Sequence, residues 1–205
     1  MTALTGIYAI VDAAAVREPL PFLDVLLAGG IRIVQYRAKS GVDRELTRAM
    51  HTRTRAATAL LIVNDDFEAA LEADGWHAGQ EDLAGADVRA CRLRLQGRLF
   101  GISAGVPEEA LAAEAAGADY VGVGPFATTG SKSDAGAPIG AAGIAAVARA
   151  TALPVVAIGG IDLASLPAVA GSGAAMAAVI SAFARAHDPQ AAAAALVRRW
   201  RELTA

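Results

Sequence analysis

Two polar clusters, Asn64-Asp65-Asp66 and Gln80-Glu81-Asp82, each follow a short apolar run, Leu60–Val63 and Gly75–Ala78. Carboxylates at neighbouring strand ends suit a hard divalent cation. Mg²⁺ takes one or two carboxylates and completes its shell with phosphate oxygens and water, at about 2.0–2.1 Å. Asp65 and Asp82 fit that pattern as metal ligands, with the metal gripping a diphosphate. One residue of Asn64-Asp65-Asp66 is expected to cap the helix beginning at Phe67, since Asn and Asp oxygens accept the free amides of a first turn. Capping does not account for all three, nor for Asp82.

Polar side chains recur at other strand ends. The two-residue period of a strand puts Gln35, Arg37 and Lys39 on one face together with Ile31 and Ile33. That parity points the three polar groups toward the mouth of a barrel; the alternative is a basic strand end paired with neighbouring acids. Ser103 ends a later apolar run. The connection from Gly124 to Gly140, GPFATTGSKSDAGAPIG, carries Thr128, Thr129, Ser131 and Lys132, hydroxyls and an ammonium suited to phosphate oxygens. A loop of this length in a compact domain is usually functional. Ile158-Gly159-Gly160-Ile161 and Val179-Ile180-Ser181 close the last two runs, where barrels often hold phosphate. Two anion sites emerge, one for a metal–diphosphate and one for a monophosphate, with the long loop between them. A transferase joining a diphosphate donor to a phosphorylated acceptor requires that layout.

These residues must be positioned by the elements around them. Strands are predicted at Gly6–Val11, Ile31–Arg37, Leu60–Val63, Gly75–Ala78, Leu99–Ser103, Tyr120–Gly124, Val155–Ile158 and Ala175–Ile180. Helical patterns fall between them at Leu20–Ala28, Asp43–Ala57, Phe67–Glu72, Ala86–Leu95, Pro107–Ala116, Ala141–Ala150, Leu163–Ala170 and Pro189–Glu202. Apolar strands separated by helices imply parallel pairing buried on both faces. Eight such units in 205 residues predict one domain, an α/β fold of the closed (β/α)₈ TIM-barrel type with a parallel eight-stranded sheet.

Composition narrows the partners. A net charge of −3 gives no general attraction for nucleic acid or an anionic membrane. The most apolar stretch, Gly173–Ala184, falls short of the roughly 20 residues a bilayer requires. Met1–Tyr8 lacks the pattern of a signal peptide, so a cytoplasmic protein is expected. The single cysteine, Cys91, excludes an internal disulfide and reads as a packing residue. His77, within the fourth strand, reads as a core or supporting residue, and His51 and His187 as surface residues. No zinc set, nucleophile elbow or dinucleotide fingerprint is present. Oligomeric state is left open, a homo-oligomer included.

The order of motifs resembles the thiamine-phosphate synthase family. The matching segments are Gln35–Lys39, Val63-Asn64-Asp65, His77-Ala78-Gly79-Gln80-Glu81-Asp82-Leu83, Ser103, Gly122-Val123-Gly124-Pro125 with Thr129 to Lys132, Ile158-Gly159-Gly160-Ile161 and Ile180-Ser181-Ala182. The resemblance implies a TIM barrel that joins hydroxymethylpyrimidine diphosphate to 4-methyl-5-(2-phosphoethyl)thiazole, giving thiamine phosphate and pyrophosphate. It implies that Gln35, Arg37, Lys39 and Asn64 hold the pyrimidine diphosphate, and that Asp65 and Asp82 bind Mg²⁺. Lys39, Ser103 and Lys132 would hold or neutralise the diphosphate during catalysis. Thr129 and Ser131, at the family's two loop threonines, would contact the thiazole phosphate with Gly160, Ile180 and Ser181. Departure of pyrophosphate would leave a pyrimidine-stabilised cation for the thiazole nitrogen to capture, without a side-chain nucleophile.

Three positions depart from the family pattern. Gly105 stands where a His usually follows Ser-Ala or Ser-Thr, Ala127-Thr128-Thr129 replaces aromatic-Pro-Thr, and Ser131 replaces a Thr. These bear on loop closure and rate rather than on reaction class. Two rival readings share the barrel: a thiazole tautomerase-like relative, and a non-catalytic barrel that binds thiazole phosphate or thiamine phosphate. Neither requires Asn64, Asp65 and Asp82 together.

Overall fold

The computed structural model describes residues 4–130 and 136–205. Eight parallel strands close into a barrel in chain order. They are β1 (Gly6–Asp12), β2 (Ile33–Arg37), β3 (Leu60–Asn64), β4 (Gly75–Ala78), β5 (Leu99–Ala104), β6 (Tyr120–Val123), β7 (Val155–Ile158) and β8 (Met176–Val179). β8 pairs back onto β1, Ala177 opposite Ile7 and Val179 opposite Ala9. The closed (β/α)₈ TIM barrel is thus the observed fold, and no sheet edge is left unpaired.

The described residues form ten helices around it: α1 (Pro19–Ala28), α2 (Arg44–Ala56), α3 (Phe67–Ala70), α4 (Gln80–Leu83), α5 (Val88–Arg94), α6 (Pro107–Ala115), α7 (Gly140–Ala150), α8 (Leu166–Gly171), α9 (Ser181–Ala184) and α10 (Pro189–Thr204). Alternation along each strand divides the core in two. One set of buried side chains, including Leu23, Leu26, Leu61, Val121 and Ile144, fills the space between sheet and helices. The other, including Tyr8, Ile10, Ile33, Ile62, Tyr120 and Val156, fills the barrel. Among the described residues no helix is long and apolar enough to cross a membrane.

Element boundaries differ from expectation where side chains compete for backbone. β2 begins at Ile33 rather than Ile31, because the Ile31 amide bonds to Leu26 O at the end of α1 and its side chain packs outside the barrel. α8 begins at Leu166 rather than Leu163: the Asp162 carboxylate accepts the amides of Ala164 and Ser165, which holds that stretch in a turn. β8 ends at Val179, so Ile180 precedes the short α9 instead of extending the strand. α4 and α9 escape the periodicity argument because each has only four residues. Asp66 caps α3, as expected of one residue in Asn64-Asp65-Asp66, and aspartates also start other helices: Asp43 caps α2, Asp87 caps α5 and Asp188 caps α10.

Candidate active site

The carboxyl ends of β2, β3 and β4 build one wall of the mouth. Asp66 takes the cap of α3, which leaves Asn64 and Asp65 for the cavity. Asp65 is pinned in a left-handed backbone conformation, φ +64°. Its amide donates to His77 O at 2.9 Å, and its carbonyl accepts from the Trp76 indole at 3.0 Å. A non-glycine residue in that region stores strain and is uncommon outside functional turns. The held backbone turns the Asp65 side chain toward Lys39 Nζ, 3.1 Å away, and toward Asp82. Asp82 meanwhile caps α4, accepting the Gly79 amide at 2.8 Å. Burial raises the Asp65 pKa above the ordinary carboxylate value, the hydrogen-bonded Asp82 carboxyl raises it further, and Lys39 opposes both.

Arg37 pairs with Asp12 at the end of β1, and Asp12 is buried. The basic strand end therefore both faces the mouth and pairs with acids: Arg37 and Lys39 line the same cavity while bonded to Asp12 and Asp65. Gln35 lies deeper and donates from Nε2 to the Tyr8 hydroxyl at 3.0 Å. Burial pushes the Tyr8 and Tyr120 phenols well above their ordinary pKa, so both remain protonated donors. His77 connects Tyr120 to Ser103, with Nδ1 3.1 Å from the phenol and Nε2 3.1 Å from Ser103 Oγ. These residues line a cavity of about 140 Å³ that contains Gln35, Arg37, Lys39, Asn64, Asp65 and Asp82.

A second cavity, of about 220 Å³, lies toward β6, β7 and β8 and brings together Thr129, Gly160, Ile180 and Ser181. Glycines let its loops touch through backbone. Gly160 has φ +65°, and a Cβ there would sit 2.8 Å from Thr128 O. A Cβ on Gly159 would lie 2.6 Å from the Pro125 side chain. The Ala127 amide donates to Gly159 O at 2.9 Å, which ties the loop after β6 to the loop after β7. The predicted site residues Ser131 and Lys132 lie outside the described residues. At Gly105 the backbone amide is taken by the Glu109 carboxylate at 2.5 Å, and both line this cavity.

The two cavities share Ser103, Gly122, Ile158, Ala178 and Ile180. Ser103 stands at that seam, its carbonyl held by the Gln80 side chain at 2.7 Å. Sequence reading missed Asp12, Tyr8, Tyr120 and Glu109, and gave Gln80 no role of its own. Asp12 has the parity of Tyr8 and Ile10, which point into the barrel, so extending β1 by one residue finds it. Tyr120 enters the barrel because Gly101 opposite leaves room: a Cβ there would lie 2.1 Å from Tyr120 Cζ.

Among the described residues no cluster of three or more His, Cys, Asp or Glu side chains is built to hold an ion unaided. Asp65 and Asp82 supply a two-carboxylate set whose mutual repulsion a cation would relieve, with ligand oxygens completing the shell. The donor set fits Mg²⁺ bound together with a phosphorylated ligand.

Comparison with known proteins gives one consistent result. The family model for thiamine monophosphate synthase matches residues 7–183. A thiamine-phosphate synthase of Moorella thermoacetica is 45% identical over 192 residues, 91% of this chain and 89% of that protein. One from Herpetosiphon aurantiacus is 41% identical over 203 residues, covering 96% and 97% of the two chains. The solved structure of a thiamine phosphate pyrophosphorylase from Pyrococcus furiosus superposes with a TM-score of 0.89 at 30% identity, covering 98% of each chain.

Proposed function

Since the chain belongs to the thiamine monophosphate synthase family, we propose that it joins hydroxymethylpyrimidine diphosphate to 4-methyl-5-(2-phosphoethyl)thiazole, forming thiamine phosphate and releasing pyrophosphate. It is an enzyme, a transferase of thiamine biosynthesis. The observation that carries the substrate assignment is the pair of cavities meeting at Ser103, Gly122, Ile158, Ala178 and Ile180. One cavity is lined by cations and carboxylates; the other offers hydroxyls and glycine backbone among apolar side chains, with the Glu109 carboxylate engaged by the Gly105 amide, which suits a diphosphate donor and a monophosphate acceptor.

In this reading Gln35 and Asn64 hold the pyrimidine, while Arg37, Lys39 and Ser103 face its diphosphate. The family resemblance assigns Lys132 a further positive charge at the diphosphate. Mg²⁺ held by Asp65 and Asp82 would, when bound, neutralise charge on the diphosphate. The bond between the pyrimidine methylene carbon and the diphosphate oxygen breaks, and its electron pair leaves with pyrophosphate. The electron-rich pyrimidine spreads the positive charge left on carbon, and the thiazole nitrogen lone pair forms the new bond. Thr129, Gly160, Ile180 and Ser181 hold the acceptor phosphate so that its ring meets the donor at the shared seam. The chain contributes position and fixed charge, not a nucleophile.

The test mixes the two phosphorylated precursors with the protein, with and without Mg²⁺. Pyrophosphate and thiamine phosphate are expected in equal amounts, and only with the metal. Failure to form thiamine phosphate with both precursors and Mg²⁺ present would sink the reading.

A further inference from the structure

A row of five hydrogen-bonded side chains crosses the barrel and lines the smaller cavity. Gln35 Nε2 lies 3.0 Å from the Tyr8 hydroxyl, which lies 3.0 Å from that of Tyr120. Tyr120 Oη lies 3.1 Å from His77 Nδ1, and His77 Nε2 lies 3.1 Å from Ser103 Oγ. The row joins β2, β1, β6, β4 and β5 through an interior otherwise filled by residues such as Ile10, Ile33, Ile62 and Val156. Glycines make space for its rings: a Cβ on Gly122 would lie 3.0 Å from His77 Cε1, as one on Gly101 would strike Tyr120.

Such a row has a direction, because each hydroxyl carries one proton and a neutral imidazole carries one ring proton. The Gln35 amide N–H can only donate, so Tyr8 accepts it, and Tyr120 Oη is the hydrogen-bond partner that the Tyr8 proton then has among the described residues. Tyr120 in turn donates to Nδ1 of His77, which leaves the ring proton on Nε2. Nε2–H donates to Ser103 Oγ, and the Ser103 proton is left to point out of the row, into the shared seam. We propose that Tyr8, Tyr120 and His77 are positioning residues that fix Ser103 as a hydrogen-bond donor to the departing diphosphate. This assignment rests on the reading of the smaller cavity as a diphosphate site. The reversed row, with Gln35 Oε1 turned to Tyr8, would spend the Ser103 proton on His77 and set oxygen lone pairs against the ligand's negative charge. Sequestration of the row in the barrel gives the polarity its weight, since protein dipoles act more strongly there than in water.

The test reads the ring proton directly. The chain has three histidines, so comparison with His77→Asn assigns the His77 ring nitrogens in ¹⁵N spectra of the ligand-free protein. We expect a protonated Nε2 and a bare, hydrogen-bonded Nδ1. In Tyr120→Phe the Nδ1 resonance should move as its donor is lost. Turnover should fall roughly tenfold, less than for outright removal of a donor, while KM for each substrate stays within about twofold of wild type, as a group acting on bond breaking predicts. Tyr8→Phe, with a smaller fall in turnover, serves if Tyr120→Phe does not fold. A ring proton on Nδ1 or on both nitrogens in the wild type overturns the proposal, as does normal turnover in a folded tyrosine variant. Should the wild type make no thiamine phosphate, the synthase reading fails, and the row's polarity still stands or falls on the ring proton.

Discussion

Lys39 Nζ lies 3.1 Å from the Asp65 carboxylate, an ion pair that joins the end of β2 to the end of β3 at the rim of the smaller cavity. More than half of the lysine side chain is exposed, so the pair contributes at most about 1 kcal/mol to folding. Its value lies in holding a positive charge where the diphosphate would depart. Lys39→Ala should lower turnover by roughly 10²-fold or more and leave the melting temperature nearly unchanged. Steady-state pyrophosphate release and thermal melts check the two halves; normal turnover would remove Lys39 from the catalytic set.

Asp65 is held in the left-handed region beside Asp82, with its pKa raised chiefly by burial and then by that neighbour. A carboxyl whose folded pKa is raised destabilises the fold once ionised. The penalty is full above the folded value and absent below the ordinary 3.8. Asp65→Asn retains a residue tolerant of that backbone and removes the charge. Its melting temperature should exceed wild type near neutral pH, with the gain disappearing in acid. MgCl₂ should raise the melting temperature of the wild type and not of this variant, and turnover should fall by roughly 10²-fold. A variant that retains the Mg²⁺ shift would exclude Asp65 as a metal ligand.

Gly160 combines φ +65° with Thr128 O and the Ala127 side chain within 3 Å of any added Cβ. Gly160→Ala therefore strains its own turn by about 1–2 kcal/mol and displaces the loop that carries Thr129. KM for the thiazole phosphate should rise roughly tenfold, about 1.4 kcal/mol of lost binding, while KM for the diphosphate donor stays put. Equal effects on both constants would argue against a separate acceptor cavity.

Asp162 orders the turn after β7 through three hydrogen bonds: its carboxylate accepts the Ala164 and Ser165 amides at 3.0 and 2.9 Å, and its own amide donates to Ser165 Oγ at 2.9 Å. The Ser165 amide is the main cause holding its pKa below the ordinary 3.8. With a depressed folded pKa, its contribution is present above 3.8 and is lost as pH falls through the folded value. Asp162→Ala should lower the melting temperature at pH 7, with the difference from wild type shrinking as the pH is taken below the ordinary 3.8. A deficit independent of pH would show that the carboxylate charge is not what orders the turn.

The alternation of apolar strands and helices was legible because burial on two faces imposes a local pattern, and that pattern yielded all eight strands. Asn64 and Asp65 stood out because one cap, taken by Asp66, cannot use all three residues, and Asp82 because carboxylates after an apolar run are costly without a partner; contrary to expectation, Asp82 also caps α4. Other features escaped. Asp12 lay one residue past the predicted strand end, and nothing singled out Tyr8 and Tyr120 within their predicted strands. His77 was placed as a supporting residue, and it bonds to both Tyr120 and Ser103. Nothing in the helix pattern marked Glu109 as the acceptor of the Gly105 amide.

By itself the chain's order of residues determined the layering, the polar strand ends and the carboxylate pair, since each depends on spacing within a few residues. Only the closed barrel decided which of those groups meet. Tyr8 and Tyr120 are 112 residues apart and bond across the interior, and Ser103 stands where two cavities join. Such contacts are set by strand register and by the space that Gly101 and Gly122 leave inside the barrel, quantities that arise only when all eight strands close on one another.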